Sequence, residues 1–212
     1  MEPKIYEDEL DFFPVKSFNV ELVRFDGTEE DIISAAMLTK GLEINEKIQK
    51  IRFIKNLLLQ KHMTPFEFTR ICFKIRCSRA CHSQFLQYRT AVRLTRSLRF
   101  AQPLEIIQPE LVNSLPDGFK KEYIKKSLEE YTNQINKGVK REDARAILPL
   151  GIQTEFLWYQ DLRNLLHFFD ERIHNLAQDE IRSIACNMLY ITKLHYPNVI
   201  QAWAELKNHS ED

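Results

Sequence analysis

The stretch "TRICFKIRC", residues 69–77, decides the fold class. Its apolar side chains Ile71, Phe73, Ile75 and Cys77 alternate strictly with Arg70, Cys72, Lys74 and Arg76. Side chains of an extended chain point to opposite faces with a period of two, so this is a strand covered on one face only. Upstream, "SFNVELVRF" (residues 17–25) reads as a second strand, with Val20 and Leu22 on one face.

The other elements are helical in pattern. "GTEEDIISAAMLTK" (27–40) opens with Thr28 and places Asp31 three residues on, a helix start signal. Ile48, Ile51, Ile54, Leu57 and Leu58 mark the buried stripe of a helix over residues 45–62, which Pro65 stops. "SRACHSQFLQYR" (78–89) starts from Ser78 as cap, and the segment after it reads as a loop. A long amphipathic helix spans 119–138, closed by Gly138, and a short one spans 141–148, ending at Pro149. Two more are read over 154–173 and 178–196. Strands and helices occur without βαβ alternation, so the expectation is α+β, with mixed helices around a small antiparallel-rich sheet. Residues 1–212 read as a single domain with an acidic extension over 1–16.

Lys+Arg 30 balances Asp+Glu 30, which argues against a nucleic-acid coat protein. The charge is nevertheless uneven. From Lys61 to Phe100 there are nine basic residues and one acid, Glu67. Arg89, Arg93, Arg96 and Arg99 crowd into "QYRTAVRLTRSLRF" (87–100) with no acid among them. A local basic patch on a neutral chain suits a discrete phosphate-bearing ligand, and Arg suits bidentate phosphate contacts. A solvated basic face is the plainer reading of the same spacing. The acidic N-terminus reads as no signal peptide, and no run reaches the roughly 18 apolar residues of a membrane span. Cys72, Cys77, Cys81 and Cys186 form no disulfide framework, which points to the cytoplasm. Cys77, Cys81 and His82 lack the second half of a metal-binding pattern, so no metal site is expected. There is no G-x-S-x-G turn, glycine-rich phosphate loop or dinucleotide fingerprint. Arg163 sits among apolar residues and needs a partner or a ligand; separate ion pairs of Arg172 and Arg163 with Asp161 or Glu171 are the plainer reading. It lies nine residues from Arg172, so the two are opposed on an unbroken helix.

Together these residues resemble the flavin-dependent thymidylate synthase family. Its signature, R-H-R-x-x-S-x-x-x-x-S-x-R, aligns with residues 87–99, where Arg89, Ser97 and Arg99 match. A family segment H-x-S/T-P-x-E matches His62, Thr64, Pro65 and Glu67, and Gln84 matches a glutamine before the signature. "ARAILPL" resembles an A-R-x-x-L-P segment carrying Arg145. "LRNLLHFFDERIHNLAQDEI" resembles a region with two arginines nine apart, followed by Ala-Gln-x-Glu-Ile, giving Arg163, Arg172 and Gln178. The resemblance runs from about Ser17 to the C-terminus.

The resemblance implies conversion of dUMP to dTMP with FAD, NADPH as reductant and methylenetetrahydrofolate as carbon donor, in a cytoplasmic homotetramer. Gln84, Ser97, Arg99, Arg145 and Arg172 would hold the pyrimidine nucleotide monophosphate, with Ser97 and Arg172 as catalytic candidates. Ser97 would orient the substrate without attacking it. His62, Thr64, Glu67, Arg89 and Arg163 would face FAD. The chain departs from the pattern at ligand positions. Gln87, Tyr88 and Val92 replace the signature's first Arg, His and first Ser; Leu94-Thr95 replaces an Asn-Glu pair. Phe100, Leu176 and His167 replace a Tyr, a His and an Asn. Three readings therefore stay open: dUMP, another pyrimidine nucleotide such as UMP, and a paralogue that binds a nucleotide or nucleic acid without flavin chemistry.

Overall fold

The computed structural model describes residues 20–39, 41, 49–103 and 117–209. Four antiparallel strands, β1 (Val20–Asp26), β2 (Arg70–Ser78), β3 (Val92–Thr95) and β4 (Gln153–Asp161), lie in the order β1-β2-β4-β3. β2 and β4 pair along their full length, from Arg70 opposite Asp161 to Ser78 opposite Gln153. β1 carries an irregularity between Leu22 and Arg24.

The alternation of β2 is realised as expected. Ile71, Phe73, Ile75 and Cys77 are fully buried and face Gln160, Trp158, Phe156 and Thr154 across β4. On the other face Lys74 and Arg76 meet Glu155, and the Arg76 hydrogen bond holds that carboxyl below the usual carboxylate range. The core face is covered by helices: α1 (Glu29–Leu38), α2 (Lys50–Leu59), α6 (Leu162–Arg172), α7 (Asp179–His195) and α8 (Pro197–His209). α3 (Arg79–Phe85) follows β2; α4 (Asp117–Asn136) and α5 (Arg141–Ala144) precede β4. The fold is α+β. Among the described residues no helix is long and apolar enough to cross a membrane.

Local chemistry sets the element ends. The Asp31 carboxylate accepts from the Thr28 amide (2.7 Å) and hydroxyl (2.9 Å), starting α1 where the sequence signal lies. Gly27, at φ +79°, turns the chain between β1 and α1; a Cβ there would stand 2.8 Å from the Phe68 carbonyl oxygen. Glu29 is buried, and accepts from the Val199 amide (2.9 Å) and Asn198 Nδ2 (2.5 Å), tying α1 to α8. Gly138, at φ +87°, closes α4 as expected.

Four expectations are corrected. Residues 154–161 are not helix but the strand β4. Thr154, Phe156, Trp158 and Gln160 are buried in alternation, and aromatic side chains pack well on a sheet. Only from Leu162 does a helix run, started by Asp161, whose Oδ1 accepts from the Asn164 amide at 2.9 Å. The arginine segment is not all loop, because Val92–Thr95 adds the edge strand β3 to β4. A last helix, α8, follows Tyr196, beyond the expected end of the helical pattern. The second helix does not run on from residue 45: Gln49 is extended and α2 begins at Lys50, while residues 42–48 lie outside the described residues.

Candidate active site

The site grows from the arginine segment. β3 places Arg93 and Thr95 opposite Trp158 and Phe156, on the core face of the sheet. Arg93 therefore turns inward and donates to the Phe85 carbonyl at the end of α3 (2.9 Å). Thr95 meets His82, with Nε2 and Oγ1 3.0 Å apart. Burial, then the charges of Arg79 and Arg93, push the His82 imidazole pKa down, which keeps the ring neutral. Thr95, at the position of the signature's Glu, is thus paired with a neutral imidazole. Arg89 and Arg96 are exposed. The four arginines form no single stripe.

A cationic cluster lies where this segment meets α5. Arg99 Nε reaches the Glu142 carboxylate at 2.8 Å, and Arg145 Nε donates to the Glu142 carbonyl at 3.0 Å. The Arg99 amide donates to Ser97 Oγ at 3.2 Å. Arg141 caps the turn by donating to the Phe100 carbonyl at 3.0 Å. Arg79 joins from the start of α3. Its amide and that of Ala80 bond the Ile152 (2.9 Å) and Leu150 (3.0 Å) carbonyls, which brings α3 against the loop leading into β4. Arg79 Nε is buried without a partner among the described residues. Burial, then the charge of Arg145, push its pKa down, as expected of a cation beside another cation. An unpaired, partly buried guanidinium is costly unless an anion joins it.

Arg163 and Arg172 stand at opposite ends of one unbroken helix, α6. Arg163 pairs with Glu67, not with the expected Asp161 or Glu171. Asp161 is occupied by Asn164, while the 3-10 turn Thr64–Phe68 packs against α6 and presents Glu67. Arg172 donates from Nε to the Tyr88 hydroxyl (2.7 Å) and from Nη2 to Gln87 Oε1 (2.8 Å). Gln84 donates to Gln178, the residue just before α7. Nearby, the buried Glu180 carboxylate accepts from the Ser78 amide (2.7 Å) and hydroxyl (2.6 Å), and Ser78 Oγ accepts from the Cys81 amide (3.0 Å) to cap α3.

His62 and Thr64 are exposed beside Glu67. His62 follows a left-handed Lys61 (φ 55°), and its amide returns to the Leu57 carbonyl at 2.9 Å, a turn that closes α2. Next to this turn opens a cleft of about 620 Å3. Arg163, His167, Lys61 and Asn164 line it above an apolar wall that includes Leu166 and Trp203.

The geometry thus joins Ser97, Arg99 and Arg145 in one group, and Glu67 and Arg163 in another. Among the described residues no hydrogen bond or ion pair links the two groups. Arg79, Glu142 and His82 match no segment of the family pattern; they come to light only through tertiary contacts, Arg79 by the packing of α3 against the loop before β4, Glu142 by its pairing with Arg99 and His82 by its bond to Thr95. No group of three or more His, Cys, Asp or Glu side chains among the described residues is placed to hold a metal ion.

Comparison with known proteins agrees with this framework. The family described as "Thymidylate synthase complementing protein" matches residues 21–198. A flavin-dependent thymidylate synthase of Thermus thermophilus is 30% identical over 213 residues, covering 90% of this chain and 76% of the relative. The enzyme of that name from Ehrlichia ruminantium strain Gardel is 32% identical over 208 residues, covering 88% and 70%. Among solved structures, a UMP/dUMP methylase, PolB from Streptomyces cacaoi, bound with 5-Br dUMP, superposes with a TM-score of 0.82 at 21% identity, covering 89% of this chain and 95% of the other. The chain belongs to the flavin-dependent thymidylate synthase family of methyltransferases.

Proposed function

We propose that this chain methylates dUMP to dTMP, with methylenetetrahydrofolate as carbon donor, NADPH as reductant and FAD as bound cofactor, in a cytoplasmic homotetramer. The observation that carries the reading is the cationic cluster: Arg99, next to Ser97, and Arg145 both meet Glu142, Arg79 feels the charge of Arg145, and among the described residues Glu142 is the one carboxylate that pairs with these arginines. A nucleotide monophosphate supplies the missing negative charge. Arg145 and Arg99 bind its phosphate, Arg79 adds a third cation, and Ser97 donates its hydroxyl. Gln84 bonds the sugar or ring, and Arg172 meets the base.

Among the described residues no general base bonds the Ser97 hydroxyl; the neutral His82 bonds Thr95 instead. Ser97 is therefore suited to orient the nucleotide, not to attack it. The cleft beside α6 fits a flavin in chemistry: apolar Leu166 and Trp203 suit a ring system, while Lys61 and Arg163 suit a pyrophosphate. His62, Thr64 and Glu67 border it from the turn after α2, and Arg89 adds a further cation. Reduced FAD, when bound, supplies the hydride that completes the methyl group. Glu67 holds Arg163 in place, and the protein's own residues otherwise bind and orient.

A second reading, with UMP as substrate, is supported by the departures at Gln87, Tyr88 and Thr95. A site built on a hydrogen bond discriminates strongly when the partner changes. It is also supported by the likeness to a protein described as a UMP/dUMP methylase. The visible spectrum tests both readings. Gently purified protein, or protein given FAD, is expected to show bound-flavin absorbance. Colourless protein that takes up no FAD excludes both and favours a nucleotide-binding protein without flavin chemistry.

A further inference from the structure

Arg172 is half-buried in the last turn of α6, and two of its donor groups are already engaged. Nε donates to the Tyr88 hydroxyl at 2.7 Å and Nη2 to Gln87 Oε1 at 2.8 Å, while the guanidinium carbon stands 5.5 Å from the Tyr88 ring centroid. Both acceptors are neutral. They fix the group without cancelling its charge, and Nη1 has no acceptor among the described residues. Tyr88 is itself held. Its amide bonds the Phe85 carbonyl at 3.2 Å, and its ring meets Phe168 edge-on at 5.0 Å and His167 at 6.3 Å. Phe168 is fully buried, so the phenol is anchored to the core. Burial raises the Tyr88 pKa, although Arg172 opposes it, and the protonated phenol keeps its own O–H to donate.

A free arginine side chain loses considerable rotamer freedom when it binds a ligand. A guanidinium held at two points has lost that freedom beforehand. We propose that Tyr88 and Gln87 are positioning residues, a two-point clamp that aims Arg172 at the pyrimidine nucleotide. This proposal rests on the nucleotide reading above, and it assigns a role to two side chains that depart from the family signature.

The test uses the FAD-loaded protein, Tyr88→Phe, Gln87→Ala and calorimetric titration with dUMP and with UMP. Tyr88→Phe keeps the ring and its packing but removes the acceptor. Losing one bond to a charged group is expected to weaken binding of the better nucleotide about tenfold. Gln87→Ala weakens it less, because Gln87 is exposed. FAD uptake and thermal midpoint stay those of the unaltered chain. Unchanged nucleotide affinity in Tyr88→Phe overturns the proposal. So does parallel loss of nucleotide affinity, FAD uptake and stability, which marks a packing role. A second arm needs no nucleotide. In protein labelled with nitrogen-15 arginine, the Arg172 Nε–H signal, assigned with Arg172→Lys, is expected to exchange slowly with solvent and to lose that protection in Tyr88→Phe. If the unaltered chain binds neither nucleotide, the functional reading fails, and this signal decides the clamp alone. Equal exchange in both proteins overturns it.

Discussion

Helix α6 carries an arginine at each end, and the two are held in opposite ways. Arg163 meets a carboxylate, Glu67, with both side chains more than 40% exposed. Such a pair contributes about 0–1 kcal/mol and weakens with salt. Arg172 meets two neutral acceptors in a half-buried place backed by aromatic rings. A carboxylate partner cancels charge, whereas a phenol and an amide direct it. The first arrangement suits a wall residue beside a cleft; the second suits a residue that must still attract something.

The strongest way to break this contrast is Arg172→Ala. Nucleotide affinity is expected to fall about 100-fold, the loss of charge-assisted bonds of about 1.5–3 kcal/mol, with FAD uptake unmoved. If calorimetry shows full affinity in the folded fraction while stability collapses, Arg172 is a structural tie. Arg99→Ala extends the contrast to the other cationic group. Its ion pair with Glu142 is exposed, so stability is expected to change by less than about 1 kcal/mol. Nucleotide affinity is expected to fall about tenfold, and an unchanged dissociation constant removes Arg99 from the site.

His82 sharpens the comparison through pH. Its pKa is depressed in the folded chain, from an ordinary value of 6.5, by burial and then by Arg79 and Arg93. As pH falls through 6.5 the unfolded chain takes up this proton first, so the His82 contribution to stability is complete above that pH and drains away below it. Denaturant melts between pH 7.5 and 5.5 are expected to show the decline, and His82→Gln to flatten it. An identical slope in the variant would remove His82 as the source. The smallest effect belongs to Glu67→Gln. Stability is expected to drop by less than about 1 kcal/mol, and added salt to narrow the difference from the unaltered chain. A larger or salt-independent loss contradicts the description of Arg163–Glu67 as an exposed pair.

The two ends of β2 show what the sequence made legible. Alternation from Ile71 to Cys77 and the Ser78 cap are local signals, and both are present in the structure. β4 was hidden because "TEFLWYQD" runs into an apolar helix with no glycine or proline between them. Asp161 is both the last strand residue and the cap of α6, so the change of period leaves no punctuation. The site divides in the same way. The motif residues Gln84, Ser97, Arg99, Arg145, Arg163 and Arg172 could be picked out from spacing and resemblance. Their partners could not, because Arg172 meets Tyr88 across 84 residues and Arg163 meets Glu67 across 96. Such pairings depend on how α6 and the 3-10 turn pack, which no window of sequence contains. Arg79 is hidden for the same reason, since its neighbour Arg145 arrives through the loop before β4.

The central claim is that these arginines present a pyrimidine nucleotide to flavin chemistry. The most direct measurement is release of tritium from the ring carbon that takes the methyl group, with dUMP and UMP compared in the presence of FAD, NADPH and methylenetetrahydrofolate. The expected result is release that depends on FAD and is faster from dUMP. Faster release from UMP selects the second substrate. No release from either nucleotide, by protein that has bound FAD, contradicts the account.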